Sequence, residues 1–318
     1  MLRRPMRARV EADRGAIAVI AAVAFIPLSL VLAVMVDAAR VWVVRERLQN
    51  SVEAAAVASA VSWVKGGTPC TDSSLAVLGA DGSRIATKKC TSSSSASGRT
   101  VTVEATENAA VQFPRLLGRT TVTVRATTGV RISPAGASTG LWPFALCADN
   151  PAVTDWVNSG FKANVSATIK FRQTSEKCRG DVSGNWAVID YDGGSSSNSE
   201  TKYWVENGYS GVIRVGDILE GSPGAPSSAL DISGSVGREV YLPLYRYPQG
   251  TGSGARYTVV GIALARIDAL RLSGADASRS ITITFLSGTT KPGAGTGGGP
   301  DYGVYRWGVC SLDQHGEC

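Results

Sequence analysis

The sequence predicts an α+β protein: one long N-terminal transmembrane and stalk helix followed by a mainly β extracytoplasmic region. Three observations carry that prediction. Ala16 to Val36 form an apolar run without a single charge. Apolar positions then recur at helical spacing to about residue 64. Most of the remaining chain consists of short alternating segments separated by Gly, Ser and Pro, the pattern of β-strands and turns.

Residues 1–14 read as a cytoplasmic tail, too short to fold and carrying Arg3, Arg4, Arg7, Arg9 and Arg14. Only Arg40, Arg45 and Arg47 follow the apolar run closely, partly offset by Asp37 and Glu46. Basic residues gather on the cytoplasmic side of a span, so the N-terminus is expected inside and the bulk of the chain outside the cytoplasmic membrane. The transmembrane helix is placed at 15–40, with Gly15, Ala16, Pro27, Val36, Asp37 and Arg40 as anchor residues. Its apolar core covers roughly 30 Å, the hydrocarbon thickness of a bilayer, whereas a cleavable secretory core is usually only about 7–15 residues. Asp37 also spoils a signal-peptidase site after Ala39, where a small neutral residue is wanted. Pro27 is tolerated because local backbone adjustment can satisfy the carbonyl it frees.

A stalk helix is expected to continue the span over 41–65. Val41, Val44, Leu48, Val52, Ala55 and Ala56 recur at spacings of three and four, which puts them on one face. Gly66-Gly67 and then Pro69 stop the element. One rod of roughly 70 Å results. Trp42 suits the outer headgroup belt, and Asp37 and Arg40 read as interfacial anchors.

The stretch RGAIAVIAAVAFIPLSLVLAVMVDAARVWVVRERLQNSVEAAAVASA resembles the N-terminal segment of Tad (tight-adherence, or Flp) pilus-assembly proteins of the TadE/TadG kind. The features that match are Arg14-Gly15-Ala16, the pair Val36-Asp37, Arg40, the Arg-x-x-Leu-Gln-Asn run from Arg45 to Asn50, and the Ala-rich stretch Ala54 to Ala60. They cover about 50 of the 318 residues. The resemblance implies a membrane-anchored component of pilus assembly or surface display. Pseudopilin members of the group carry a glutamate five residues after the glycine at which the leader is cleaved, and here that position is Ile20. Without that carboxylate a neighbouring subunit's terminal amine has no counter-charge in the apolar bundle. A plain, TadG-like anchor is therefore expected ahead of a processed minor pilin.

Beyond the stalk, residues 66–98 are rich in Ser, Thr, Gly and Ala and read as a disulfide-stapled loop. Residues 99–134 form a small strand-helix-strand unit, with TVTVEA and TTVTVRA alternating on either side of NAAVQFPRLLG. That arrangement also resembles the TadE/TadG-like proteins. Residues 141–318 contain LWPFALC, NVSATIKF, NWAVIDYDGG, GVIRVGDIL, EVYLPLY, YTVVGIALARIDAL, SITITFL and YGVYRWGVC, a β-rich outer domain long enough to bury its own core.

The six cysteines, Cys70, Cys90, Cys147, Cys178, Cys310 and Cys318, all lie beyond the span, and their even number fits disulfides in an oxidising compartment. Nearest-neighbour closure is the simplest pairing, and connectivity stays open. Cys310, His315 and Cys318 offer a three-ligand zinc alternative, but no paired C-x-x-C accompanies them. The first 64 residues carry 8 basic and 5 acidic groups, and the remaining 254 carry 24 and 21. An outer region so close to neutral has no basic footprint for nucleic acid.

Chemistry is sparse. Asp231-Ile232-Ser233-Gly234-Ser235 matches a D-x-S-x-S metal loop, yet a strand-like VGREVYLPLY follows where that loop needs a long helix, so an ordinary turn is expected. Asp190-Tyr191-Asp192 opens like a calcium loop, but Ser195 and Thr201 occupy the positions that require glycine and glutamate. A looser site of Asp190, Asp192 and Glu200 competes with a strand end running into a polar loop. His315 is the sole histidine, and no G-x-S-x-G elbow is present. No catalytic, cofactor or metal residues are therefore assigned. The expected function is structural and non-enzymatic, with the lipid bilayer and other Tad pilus or envelope proteins as partners and neither nucleic acid nor a small-molecule substrate. A processed minor pilin, or an anchored β domain that binds a surface ligand through exposed Trp156, Trp186 or Trp204, are the alternatives.

Overall fold

The computed structural model describes residues 7–95, 98–112, 118, 120–161, 165–170, 185–193, 197–223, 232–250, 254–273, 279–291 and 297–310. A single helix, α1 (Arg7–Val64), runs through Pro27 and ends at Val64, just ahead of the Gly66-Gly67 pair, as the spacing predicts, but it starts at Arg7, inside the stretch expected as a tail too short to fold. A mainly β region comes after it. Internal contacts divide the chain into two compact units, Met1–Ala56 with Leu75–Cys90 and Thr102–Thr128, and Val57–Ser74 with Thr91–Val101 and Gly129–Cys318.

The first unit is a helix on a sheet. It contains the greater part of α1 and parts of three strands, β1 (Ile85–Ser95), β2 (Gly98–Ala110) and β3 (Thr121–Pro134), which are neighbours in that order. Alternation puts Val103, Ala105, Glu107 and Ala109 of β2 in one buried row, and Val124, Ala126 and Thr128 of β3 in another. On α1 the buried positions are Asp37, Leu48, Ser51, Val52, Ala55 and Ala56, with Val41 and Val44 half-buried. These fall on one face at spacings of three and four. Ile85–Ser95 corrects the expectation of loop throughout 66–98: the segment is a strand because β2 offers it a partner, with Thr87 and Thr106 hydroxyls 2.6 Å apart. A short helix, α2 (Asp72–Leu75), also falls in this stretch. The helix expected around Phe113, Leu116 and Leu117 lies outside the described residues.

The second unit is built on β10 (Glu239–Gln249), β11 (Arg256–Arg271) and β12 (Ser280–Leu286), an antiparallel run flanked by β5 (Leu146–Cys147) and β6 (Ser166–Lys170). β9 (Ile218–Pro223) pairs with both β11 and β7 (Asn185–Asp190). Two small pieces complete the strands: β4 (Ala137–Ser138) with β8 (Ile213–Arg214), and β13 (Gly288–Thr289) with β14 (Val304–Cys310). β14 runs antiparallel to β3 over Gly129–Pro134. The core holds Trp142, Phe144, Trp156, Ile267 and Phe285, with Trp156 stacked on Phe285 at 5.9 Å. Each of the eight expected segments contains a strand.

Two helices interrupt the strands, and both carry start signals. α3 (Pro151–Asn158) begins with Asn150 accepting the Ala152 N–H and proline at its first position. α4 (Asn198–Asn207) begins with the Ser197 hydroxyl accepting the Glu200 N–H at 3.2 Å, one half of a capping box. α4 ends at Gly208, whose φ of 74° and 2.7 Å approach of a would-be Cβ to the Gly140 carbonyl admit no side chain.

Candidate functional site

The part of the molecule with the clearest functional signature is α1. From Ile17 to Val36 every side chain is exposed except Ala33, which is half-buried. Ile20, Val23, Phe25, Ile26 and Leu28 project on all sides of the helix, so no face of this stretch is reserved for a core. α1 is long and apolar enough to cross a membrane. Within the run the Ser29 hydroxyl donates to the Phe25 carbonyl at 2.7 Å, which satisfies its one side-chain donor inside the helix. Gly15 and Ala16 lie in α1 ahead of the exposed run, Pro27 within it, and Val36 at its end.

At Asp37 the environment changes. Its side chain is 6 % exposed, and both carboxylate oxygens accept the Gln112 backbone N–H at 2.9 Å. Sequence reasoning put Asp37 at the interface beside Arg40. Arg40 is exposed, whereas Asp37 is packed and holds the backbone just beyond β2. Three turns further on, Gln49 donates to the Thr128 hydroxyl at 2.7 Å and to Glu53 at 2.9 Å. The Arg47 guanidinium reaches the Gly82 carbonyl at 3.5 Å. These ties fix α1 along the sheet of the first unit. Gln112 and Thr128 carry no local signal for this role, because their partners lie 75 and 79 residues away in sequence.

Residues 15–62 match the Tad family model, described as putative Flp pilus-assembly TadE/G-like. Over this stretch the chain is similar to that family. No curated protein and no solved structure matches the chain. The matched segment takes in the exposed run, Asp37 and the face that buries Leu48 to Ala56, so it covers both the apolar run and its attachment to the sheet of the first unit. Together the match and the apolar helix support a membrane-anchored protein related to pilus assembly.

The other residues singled out from the sequence fare differently. Cys70, Cys90, Cys147 and Cys310 are disulfide-bonded, and no cysteine among the described residues is free. Cys178, His315 and Cys318 lie outside the described residues, as do Asp231 and Trp186's side chain. Ser233–Ser235 form a single 3-10 turn ahead of β10, a turn context with no helix after it. Asp190 ends β7 buried, its Oδ1 accepting the N–H groups of Asp192 at 3.3 Å and Gly193 at 3.2 Å. Burial pushes its carboxyl above the usual aspartate range, and the Asp192 carboxyl beside it pushes the same way. Glu200 is raised by partial desolvation and by the charge of Asp192. The three carboxylates are thus neighbours, but no group of three potential metal ligands comes together among the described residues. Trp156 and Trp204 are buried, Trp156 completely, and Trp204 packs edge-on against Tyr191 and Tyr209.

A cluster the sequence did not advertise sits in the second unit at the end of α1. The Arg99 guanidinium lies 5.4 Å from the Trp63 ring and 5.0 Å from the Tyr305 ring, and donates to the Tyr305 hydroxyl at 3.1 Å. Tyr305 in turn donates to Asp301 at 3.1 Å. Burial and the Asp301 charge push the Tyr305 phenol well above its ordinary value, which keeps it a neutral donor. Ser287 donates to the Val64 carbonyl, one of the last acceptors of the helix.

Proposed function

We propose that this protein is a single-pass membrane component of a Tad/Flp-type pilus-assembly system, structural and non-enzymatic, with its N-terminus in the cytoplasm and its disulfide-braced β region outside. The observation that carries the reading is the coincidence of the Tad match at 15–62 with a helix that is apolar and exposed on all sides from Ile17 to Val36 and bound to a sheet beyond Asp37. Exposed apolar area on that scale is stable only against lipid or protein. The arginines before the span support the orientation, and the bonded cysteines support an oxidising compartment. Its partners would be the bilayer and other envelope proteins of the same system. Ile20 in place of the pilin glutamate favours a plain anchor over a processed minor pilin. Burial of Trp156 and Trp204 counts against a ligand platform built on them.

The test is fractionation and protease accessibility of the tagged full chain in cells with and without prepilin peptidase. The proposal expects membrane recovery, digestion from outside only, and a mass that does not depend on the peptidase. Peptidase-dependent shortening at Gly15 would replace it with the minor-pilin reading, and recovery from the cytosol with free thiols would end it.

A further inference from the structure

The apolar surface of α1 does not stop at Asp37. On the side that meets the sheet it ends there, where the carboxylate takes the Gln112 N–H. On the opposite side it continues: Trp42 is 67 % exposed and Val43 58 %. At 3.6 residues per turn these two bracket the line opposite Asp37. The sheet has an exposed apolar residue of its own. Val122 shares a face with Val124 and Ala126 by alternation, yet it is 39 % exposed where they are buried. It also lies at the Gln112 end, because the Val111 N–H bonds to the Thr120 carbonyl two residues before it.

The heights agree. The apolar run from Ala16 to Val36 spans roughly 30 Å, so Asp37 marks the hydrocarbon edge. Trp42 is five residues further, roughly 7.5 Å, within the headgroup layer that adds about 5–7 Å or more to each side of the core. Indole rings favour that layer, and the exposed Arg40 and Arg45 bring positive charge to the level of lipid phosphates.

We propose that the Asp37 end of the first unit rests on the membrane surface, with phospholipid headgroups covering Trp42 and Val43 on the helix and Val122 on the sheet. The sheet of this unit is then seated on the bilayer from the first turn after the span, and α1 presents no bare stalk between lipid and sheet. This rests on the reading of α1 as a membrane anchor, and the occupant is set by continuity on α1, where the exposed apolar side runs on from the span through Ala38 and Ala39 to Trp42 and Val43, with Val122 at the same end of the unit.

The test uses the full chain with native disulfides in vesicles of phosphatidylcholine and phosphatidylglycerol. Single nitroxide labels are placed through Ile26→Cys, Trp42→Cys, Val122→Cys and Lys89→Cys. Lys89 is the remote control, since the Thr87–Thr106 contact puts it beside about residue 104, roughly 25 Å along β2 from Gln112. The readout is collision with oxygen, which concentrates in lipid, relative to a water-soluble nickel chelate. The anchor reading requires the highest ratio at position 26. The proposal requires ratios at 42 and 122 severalfold above that at 89 and below that at 26. A deep label at 26 with 42 and 122 as wet as 89 overturns the proposal and leaves the anchor standing, whereas a wet label at 26 overturns the anchor itself. Labels at 42 and 122 that are shielded from both collision partners would identify a protein neighbour, and would also overturn it.

Discussion

Two halves of one helix obey different rules. From Ile17 to Val36 α1 shows apolar side chains to every side, while from Asp37 to Ala56 it buries one face and turns Arg40, Arg45 and Glu46 outward. The backbone is the same α-helix throughout, so the difference lies in what each half uses as solvent. A uniformly apolar surface is matched to hydrocarbon, and a striped one to a sheet on one side and water on the other. Asp37 is the boundary because its carboxylate is the first charged group after the run, and Gln112 supplies it a donor.

The sharpest way to break the contrast is to put charge in the first half. Val23→Arg with Ile26→Arg adds about 2.5–3.5 kcal/mol per residue to insertion and is expected to abolish recovery in the membrane fraction, measured by carbonate-extracted pelleting. The second half should respond by face. Leu48→Ala, on the fully buried side, is expected to cost about 2–5 kcal/mol in a denaturant titration. Trp42→Ala on the far side is expected to change the same titration by less than about 0.5 kcal/mol. At the boundary, Asp37→Leu strands the Gln112 N–H and is expected to cost about 1–3 kcal/mol. Its signature is faster hydrogen exchange at Gln112, which a change in packing elsewhere would not produce.

Two buried carboxylates in the β strands sharpen the point, since their surroundings differ from those of Asp37. Glu107 sits in the buried row of β2, and its Oε2 has no hydrogen-bond partner among the described residues. Glu107→Leu is expected to be neutral or to stabilise by about 1 kcal/mol, by removing an uncompensated polar group. Asp190 gives the smallest effect. Its pKa is raised on folding, so its favourable contribution is full below the ordinary aspartate value and is lost as pH rises through the raised one. Asp190→Asn keeps an oxygen for the Asp192 and Gly193 amides. Its stability relative to the parent is therefore expected to improve as pH rises from about 4 towards neutrality, as followed by thermal melts across that range.

Much of this was legible in the residues alone. The apolar run, the continuation of the helix to Val64 and the eight strand-bearing segments of the β region derive from composition or from a period of two or of three to four, and the Tad likeness rests on resemblance at particular residues, from Arg14-Gly15-Ala16 to the Ala-rich stretch ending at Ala60. The strand pattern gave no expectation of α3 and α4, whose starts at Asn150-Pro151 and Ser197-x-x-Glu200 became evident only in the structure. Strand β1 was hidden because Thr, Lys and Ser in a largely exposed edge strand read as loop until a neighbour supplies the hydrogen bonds.

Where the apolar span begins and ends is written in the side chains of one continuous element, and it needs no partner to be read. What Asp37, Gln49 and Arg99 do is settled by tertiary contact. Each acts across a chain separation of 75, 79 or 206 residues, and such pairings depend on strand register and on which face of α1 the sheet covers. Local periodicity fixes which residues are available for burial, and only the assembled packing fixes which of them meet.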